Sequence, residues 1–177
     1  MIEKLNGLKY NENHLTQKMN RKKAITQIRN AYKSHINWIF NVQTFHLNIS
    51  DNNEMDNLSI SKCEFGKWYK ENIENLSYLK SFQELEPLHK KAHRIYQSIE
   101  KLHKKQEQKC KGIMKIFFGC DQLKHENMIK AYNKHLNKTS KKLLAELKDI
   151  ELNILSMSNE KFNEIRLLSN NNETQNT

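Results

Sequence analysis

Two histidines, His89 and His93, stand four residues apart in a segment whose pattern predicts a helix. Four residues advance an α-helix by about 400° and about 6 Å, so both imidazoles leave the same face one turn apart. Two imidazoles in that arrangement can bind a single metal ion. The pair alone is a weak signal, because HxxxH spacings also arise by chance in helices rich in lysine and histidine.

His35 and Cys63 are two further donors of kinds that bind zinc. His35 lies in the middle of an apolar stripe that recurs at three- and four-residue steps, which predicts that it faces the interior. Ser61 followed by Glu64 is a capping-box pattern, which predicts a helix start with Cys63 in the first turn, where the helix dipole stabilises a thiolate. Taken singly, each donor has a plainer explanation, as a hydrogen-bonded core histidine or a small buried hydrophobe.

The four donors together predict a closed metal site. Three helical segments each offer an inward-facing donor or pair of donors, and three nitrogens with one sulfur complete the tetrahedral shell that zinc prefers. Four protein ligands leave no position open for a substrate, so we expect a sensory or regulatory role and no enzymatic activity. The predicted zinc ligands are His35, Cys63, His89 and His93.

The elements that must position these donors are helices. Among 177 residues only 4 are glycine and 1 is proline, which argues against a β-sandwich or barrel with its many tight turns. The apolar periodicity predicts a long first helix, a short second one and two further long ones, forming an all-α four-helix bundle. The first helix is predicted from Arg21 to Ser50, and the short second helix starts at Ser61. The third runs to Lys109 from either Ser81, which forms a second capping-box pattern with Glu84, or Pro87. The fourth runs from Gln122 to Ser156.

The predicted organisation is a polar N-terminal segment over residues 1–20, the zinc-binding bundle over 21–156, and a weakly helical then disordered tail over 157–177. No apolar run approaches the roughly 20 residues of a membrane span, and the N-terminus lacks the apolar core of a signal peptide. We therefore expect a cytoplasmic protein with reduced cysteines.

Two other pairs of residues carry weaker signals. His125-Glu126 begins like a HExxH metalloprotease motif, but Ile129 stands where the second histidine would be. Cys110 and Cys120 can pair under oxidation or supply a second metal site with His125. The favoured interpretation is two separate thiols near a loop.

The sequence also resembles the bacterial chemoreceptor zinc-binding (CZB) domain. The resemblance lies in three blocks that occur in the family's order and spacing within about residues 24–155. The blocks are His35-Ile-Asn-Trp38, Cys63-Glu-Phe-Gly66-Lys-Trp68 and His89-Lys-Lys-Ala-His93. The resemblance implies a cytoplasmic four-helix bundle with a 3-His/1-Cys zinc site, commonly homodimeric. It assigns Trp38, Gly66 and Trp68 to supporting positions around the metal.

In CZB proteins the zinc level, or oxidation of the ligand cysteine by hypochlorous acid, is proposed to control an attached chemoreceptor or diguanylate cyclase. The sequence contains neither a cyclase signature nor a methyl-accepting coiled coil. We therefore expect any signal to pass to a separate partner in a chemotaxis or cyclic-di-GMP pathway, or the protein to respond to zinc on its own.

Two alternatives from other functional classes stay open. A di-iron bundle of the hemerythrin type would need carboxylates beside the histidines on inward faces. A net charge of +10 also permits a basic module that binds nucleic acid or acidic lipid. The lysines are spread along every segment without arginine–aromatic interleaving, so a solvated basic surface is the favoured interpretation and we expect no specific nucleic-acid binding.

Overall fold

The computed structural model describes residues 19–45, 60, 62–111, 116 and 120–173, with side chains described except at 45 and 168–173. Six α-helices and no strand are defined within these ranges. The prediction of an all-α fold is therefore confirmed. The helices are α1 (Arg21–Phe45), α2 (Glu64–Glu71), α3 (Ile73–Leu76), α4 (Lys80–Cys110), α5 (Gln122–Ser156) and α6 (Asn159–Glu173).

The three long helices α1, α4 and α5 and the short α2 correspond to the predicted bundle. The interface between α4 and α5 is the most extensive, while α1 packs against α5 and α2. A disulfide joins Cys110, the last residue of α4, to Cys120, just before α5, with their Cα atoms 5.2 Å apart. Helix α5 therefore starts where α4 ends and runs back along it. The interpretation of these cysteines as two separate thiols is wrong.

The N-caps of α2 and α4 differ from the residues that the two capping-box patterns predict. Cys63 is itself the N-cap of α2, immediately before the first turn in which it was expected, and Ser61 lies outside the described residues. Helix α4 begins at Lys80 with Leu79 as N-cap. The Ser81 hydroxyl, predicted to cap that helix, instead donates a hydrogen bond to the Asp149 carboxylate on α5.

Pro87 lies inside α4, which runs without interruption from Lys80 to Cys110. The ring cannot donate to the carbonyl of Gln83, but the helix neither starts nor ends there. Helix α5 has the predicted bounds. Helix α1 starts at the predicted residue, while its predicted end at Ser50 falls outside the described residues.

Helix α6 packs against α3 and α1 and adds the fully buried Phe162 to the core. The Arg21 guanidinium fastens the beginning of α1 to the end of α5, donating from Nε to the Ile154 carbonyl at 3.0 Å. The division of the chain at residues 20 and 156 stays a prediction. Among the described helices, none is long and apolar enough to cross a membrane.

The core consists of two apolar clusters separated by polar side chains. The larger cluster includes Ile28, Leu85 and Leu143, and the smaller one consists of Trp38, Val42, Ala92, Tyr96 and Leu136 with partly buried neighbours. Where one cluster gives way to the other, each long helix carries buried polar residues. This polar layer consists of His35 on α1, His89 and His93 on α4, and Thr139 and Ser140 on α5.

Candidate metal centre

Cys63 is positioned by the start of α2. Its backbone is extended, with φ −68° and ψ 118°, and its side chain is 5% exposed. Burial raises the pKa of the thiol, while hydrogen bonds from the backbone N–H groups of Gly66 and Phe65 act in the opposite direction. These N–H groups have no partner within the helix, so they are available to stabilise a thiolate.

His89 and His93 meet Cys63 in the polar layer. His89 Nε2 lies 3.3 Å from Cys63 Sγ and 3.0 Å from His93 Nε2. One donor atom from each of the three residues lies within 4.8 Å of the others, and all three residues are buried. The four-residue spacing on α4 thus brings two imidazoles to one point, as the sequence predicted.

His35 lies next to this cluster, but it is not among the residues whose donor atoms lie within 4.8 Å of one another. The residue is fully buried, and both ring nitrogens lack a hydrogen-bond partner among the residues that the structure describes. It is close enough to His93 for a charge there to lower its own pKa, and close enough to His89 to lower the pKa of that residue. A buried imidazole with neither nitrogen paired is costly in an apolar core. A metal ion bound to the lone pair of one nitrogen would give that nitrogen a partner and leave only the other without one.

His35 and His89 are neutral at physiological pH. Burial lowers the pKa of His35 to about 4, and the charge of a protonated His93 would lower it in the same direction. Burial likewise lowers the pKa of His89 to about 4, with His35 as the second cause. A metal ion needs the lone pair of a neutral imidazole, so these rings are already in the protonation state that ligation requires.

Aromatic side chains enclose the donors. The Trp38 ring lies 4.4 Å from that of His93, and the Phe65 ring 4.8 Å from that of His89, measured between centroids. Trp68 contacts Phe65 at 5.5 Å and supports that ring from behind. Trp38 therefore lies against His93, whereas Trp68 contacts Phe65, and their supporting roles around a metal stay predictions.

Gly66 allows α2 to approach α4 closely. A Cβ built at this position would lie 3.1 Å from His89 Cε1 and 3.9 Å from its Nδ1. The first of these distances is tighter than most side-chain contacts, so any residue larger than glycine would push against the imidazole. The supporting role predicted for this glycine has a steric basis in the contact with His89.

Phe65 and Ser140 were not singled out in the sequence. Phe65 is fully buried and its ring contacts both His35 and His89. The buried Ser140 hydroxyl belongs to the polar layer and finds no hydrogen-bond partner within the described part of the chain. The sequence feature that could have indicated Ser140 is the polar pair Thr139 and Ser140, which interrupts the apolar stripe of α5.

The donor set fits zinc. Two imidazoles and one thiol are in place, a third imidazole lies beside them, and this mixture of nitrogen and sulfur donors is typical of structural zinc. The cluster contains no carboxylate, whereas iron and magnesium sites usually contain one.

Residues 35–100 match the family model of the CZB domain, the chemoreceptor zinc-binding domain. The match covers well under half of the 177 residues but includes all four predicted ligands. It confirms the resemblance that the three sequence blocks carry. No curated protein and no solved structure matched the chain.

Proposed function

We propose that this protein, whose residues 35–100 match the CZB domain, is a sensory or regulatory zinc-binding protein that holds one ion through His35, Cys63, His89 and His93. The observation that carries the proposal is the meeting of three buried donors from two helical segments within 4.8 Å. His35 is proposed as the fourth ligand because neither of its buried ring nitrogens has a hydrogen-bond partner among the described residues.

The chemistry of the four residues favours sensing over catalysis. Four protein ligands close a zinc site, whereas catalytic zinc keeps a position open for substrate or water. Bound zinc would supply a crosslink between α1, α2 and α4. The strength of that crosslink depends on the thiolate of Cys63, because protonation or oxidation of the sulfur removes its bond to the metal.

The proposed signal is a change in the position of α2. Hypochlorous acid converts a cysteine thiolate to a sulfenic acid with release of chloride, and the oxidised sulfur no longer holds the metal. Because Cys63 is the N-cap of α2, its release frees the start of a helix of only 8 residues. The change would be passed to a second copy of the chain or to a separate signalling protein.

Zinc counting tests the ligand assignment. The wild-type protein is expected to bind one zinc in this site, and Cys63→Ala and His93→Ala are each expected to lose it. The exposed His135 on α5 offers a matched control, because His135→Ala removes an imidazole without touching the polar layer. Unchanged zinc in both ligand variants, measured by elemental analysis after dialysis, would refute the proposal.

A further inference from the structure

A second group of metal-binding side chains lies where α4 ends and α5 begins. His103 and Cys110 are on α4, and Cys120 and His125 are at the start of α5. All four line a cavity of about 750 Å³. We call them the terminal cluster. His103 is ten residues beyond His93, or about 15 Å along the helix axis, so the cluster is separate from the polar layer.

Helix geometry brings Cys120 and His125 together. Asp121 is the N-cap of α5, and its side chain accepts from the Lys124 backbone N–H. Cys120 therefore occupies the position before the cap and His125 the fourth position of the helix. Apolar side chains at these two positions often pack against each other, and here both residues line the same cavity.

His103 and Gln106 close the other side of the cluster. The Gln106 side-chain nitrogen lies 3.5 Å from Cys120 Sγ, and His103 stands one turn earlier on the same face of α4. The rings of His103 and His125 meet edge to face, with centroids 4.9 Å apart. One sulfur and two imidazoles thus line one cavity at the α4–α5 interface, with the two rings in contact.

His125 is the member that points to a ligand. His125 is only 9% exposed, yet neither of its ring nitrogens has a hydrogen-bond partner among the residues described. Buried polar groups are almost always paired, because leaving one unpaired destabilises the folded protein. An imidazole of this kind facing a cavity beside sulfur and a second imidazole is suited to bind a thiophilic cation.

We infer that the terminal cluster is a second, redox-gated metal site, in which His103, Cys120 and His125 bind zinc once the Cys110–Cys120 disulfide is reduced. In the disulfide form Cys120 has no thiolate to offer. Two thiols of a cellular reductant convert the bridge to two cysteine thiols and are themselves oxidised to a disulfide. The Cys120 thiol then loses its proton to solvent as the metal binds.

Cys110 serves as the gate and Cys120 as the ligand. In the disulfide Cys110 Sγ is bonded to Cys120 Sγ and so withholds that sulfur from a metal. Cys120 lies outside both helices, beside Gln106, and lines the same cavity as His103 and His125, so it is the sulfur assigned to the metal. Oxidation therefore closes this site by forming a disulfide, independently of zinc at Cys63.

The test is the zinc content of the full chain in two redox states. Protein with an intact Cys110–Cys120 bridge, verified by mass spectrometry, is compared with protein reduced by a phosphine, both dialysed against the same low zinc concentration. We expect reduction to add one zinc per chain. With cobalt(II) in place of zinc, we expect a thiolate-to-metal charge-transfer band whose intensity rises on reduction by the amount that one added ion per chain produces.

Variants separate ligand from gate. His125→Ala and Cys120→Ser should abolish the added zinc, and the partly exposed His103→Ala offers the same test with less risk to folding. Cys110→Ser should bind the additional zinc without reductant, because Cys120 can no longer be locked. No increase on reduction, or an increase that survives His103→Ala and His125→Ala, overturns the inference.

The result does not depend on the site at Cys63. Cys63→Ala should contain one zinc fewer in both redox states and keep the step on reduction. If the Cys63 site binds no zinc at all, the step remains measurable, so failure of one site can be told apart from failure of the other.

Discussion

Acidification is expected to destabilise the metal-free protein, and His35 is expected to be a principal cause. In the folded state burial lowers the pKa of His35 from 6.5 to about 4. As the pH falls below 6.5, the unfolded chain gains a proton at this residue that the folded protein does not accept. Folding stability therefore decreases from pH 6.5 down to about 4, and His35 adds no further loss below that value.

The magnitude follows from the size of the shift. A lowering from 6.5 to about 4 corresponds to about 3 kcal/mol, at about 1.4 kcal/mol for each pKa unit. Domains are stable by about 5–15 kcal/mol in total, so this loss is a large part of the whole. His89 shows a lowering to the same value and acts in the same direction.

Urea unfolding in the presence of a chelator, repeated across this pH window, measures the effect. His35→Leu places an apolar side chain among Trp38 and Phe65 and should flatten the pH dependence by about 3 kcal/mol. His135→Leu, at an exposed position, should keep the wild-type slope. Equal slopes for His35→Leu and the wild type would show that this imidazole is not held neutral by burial.

Three further substitutions test the glycine beside the candidate site, the apolar core and the cap of α5. Gly66→Ala should weaken zinc binding about 10- to 100-fold, as disturbed supporting contacts do, because its Cβ would meet His89 Cε1 at 3.1 Å; competition with a chromophoric chelator measures this, and wild-type affinity would contradict the steric argument. Leu147→Ala in the fully buried core should lower the free energy of unfolding by about 2–5 kcal/mol in urea titrations; a loss below 1 kcal/mol would argue against tight packing there. Asp121→Ala should cost about 1 kcal/mol through loss of the bond that caps α5; a change in thermal unfolding no larger than that of the exposed Lys134→Ala would show that the cap contributes little.

The sequence was sufficient for the long helices and for the meeting of His89 with His93, because both depend on local spacing. The apolar periodicity gave the bounds of α5, and the HxxxH spacing brought His89 and His93 to one face. Gly66 was recognised through its motif, and its contact with His89 supplies the physical reason.

The parts that the sequence did not predict depend on contacts between distant residues. Ser81 has the local pattern of a cap, but Asp149 on another helix competes for its hydroxyl. Phe65 looks like any core aromatic until α2 is docked on α4. The proximity of His103 to His125 likewise depends on the register of α4 against α5, which spacing along one helix cannot specify.

The polar layer also bears on how the bundle opens. An uninterrupted apolar core tends to unfold as one cooperative unit, whereas a plane of buried imidazoles and hydroxyls across three helices weakens the coupling between the halves on either side. Without metal, we expect the backbone amides of the two halves to exchange with solvent at separate rates. With metal bound across the plane, the two rates should converge, so that the ligand governs how far a local opening spreads along the bundle.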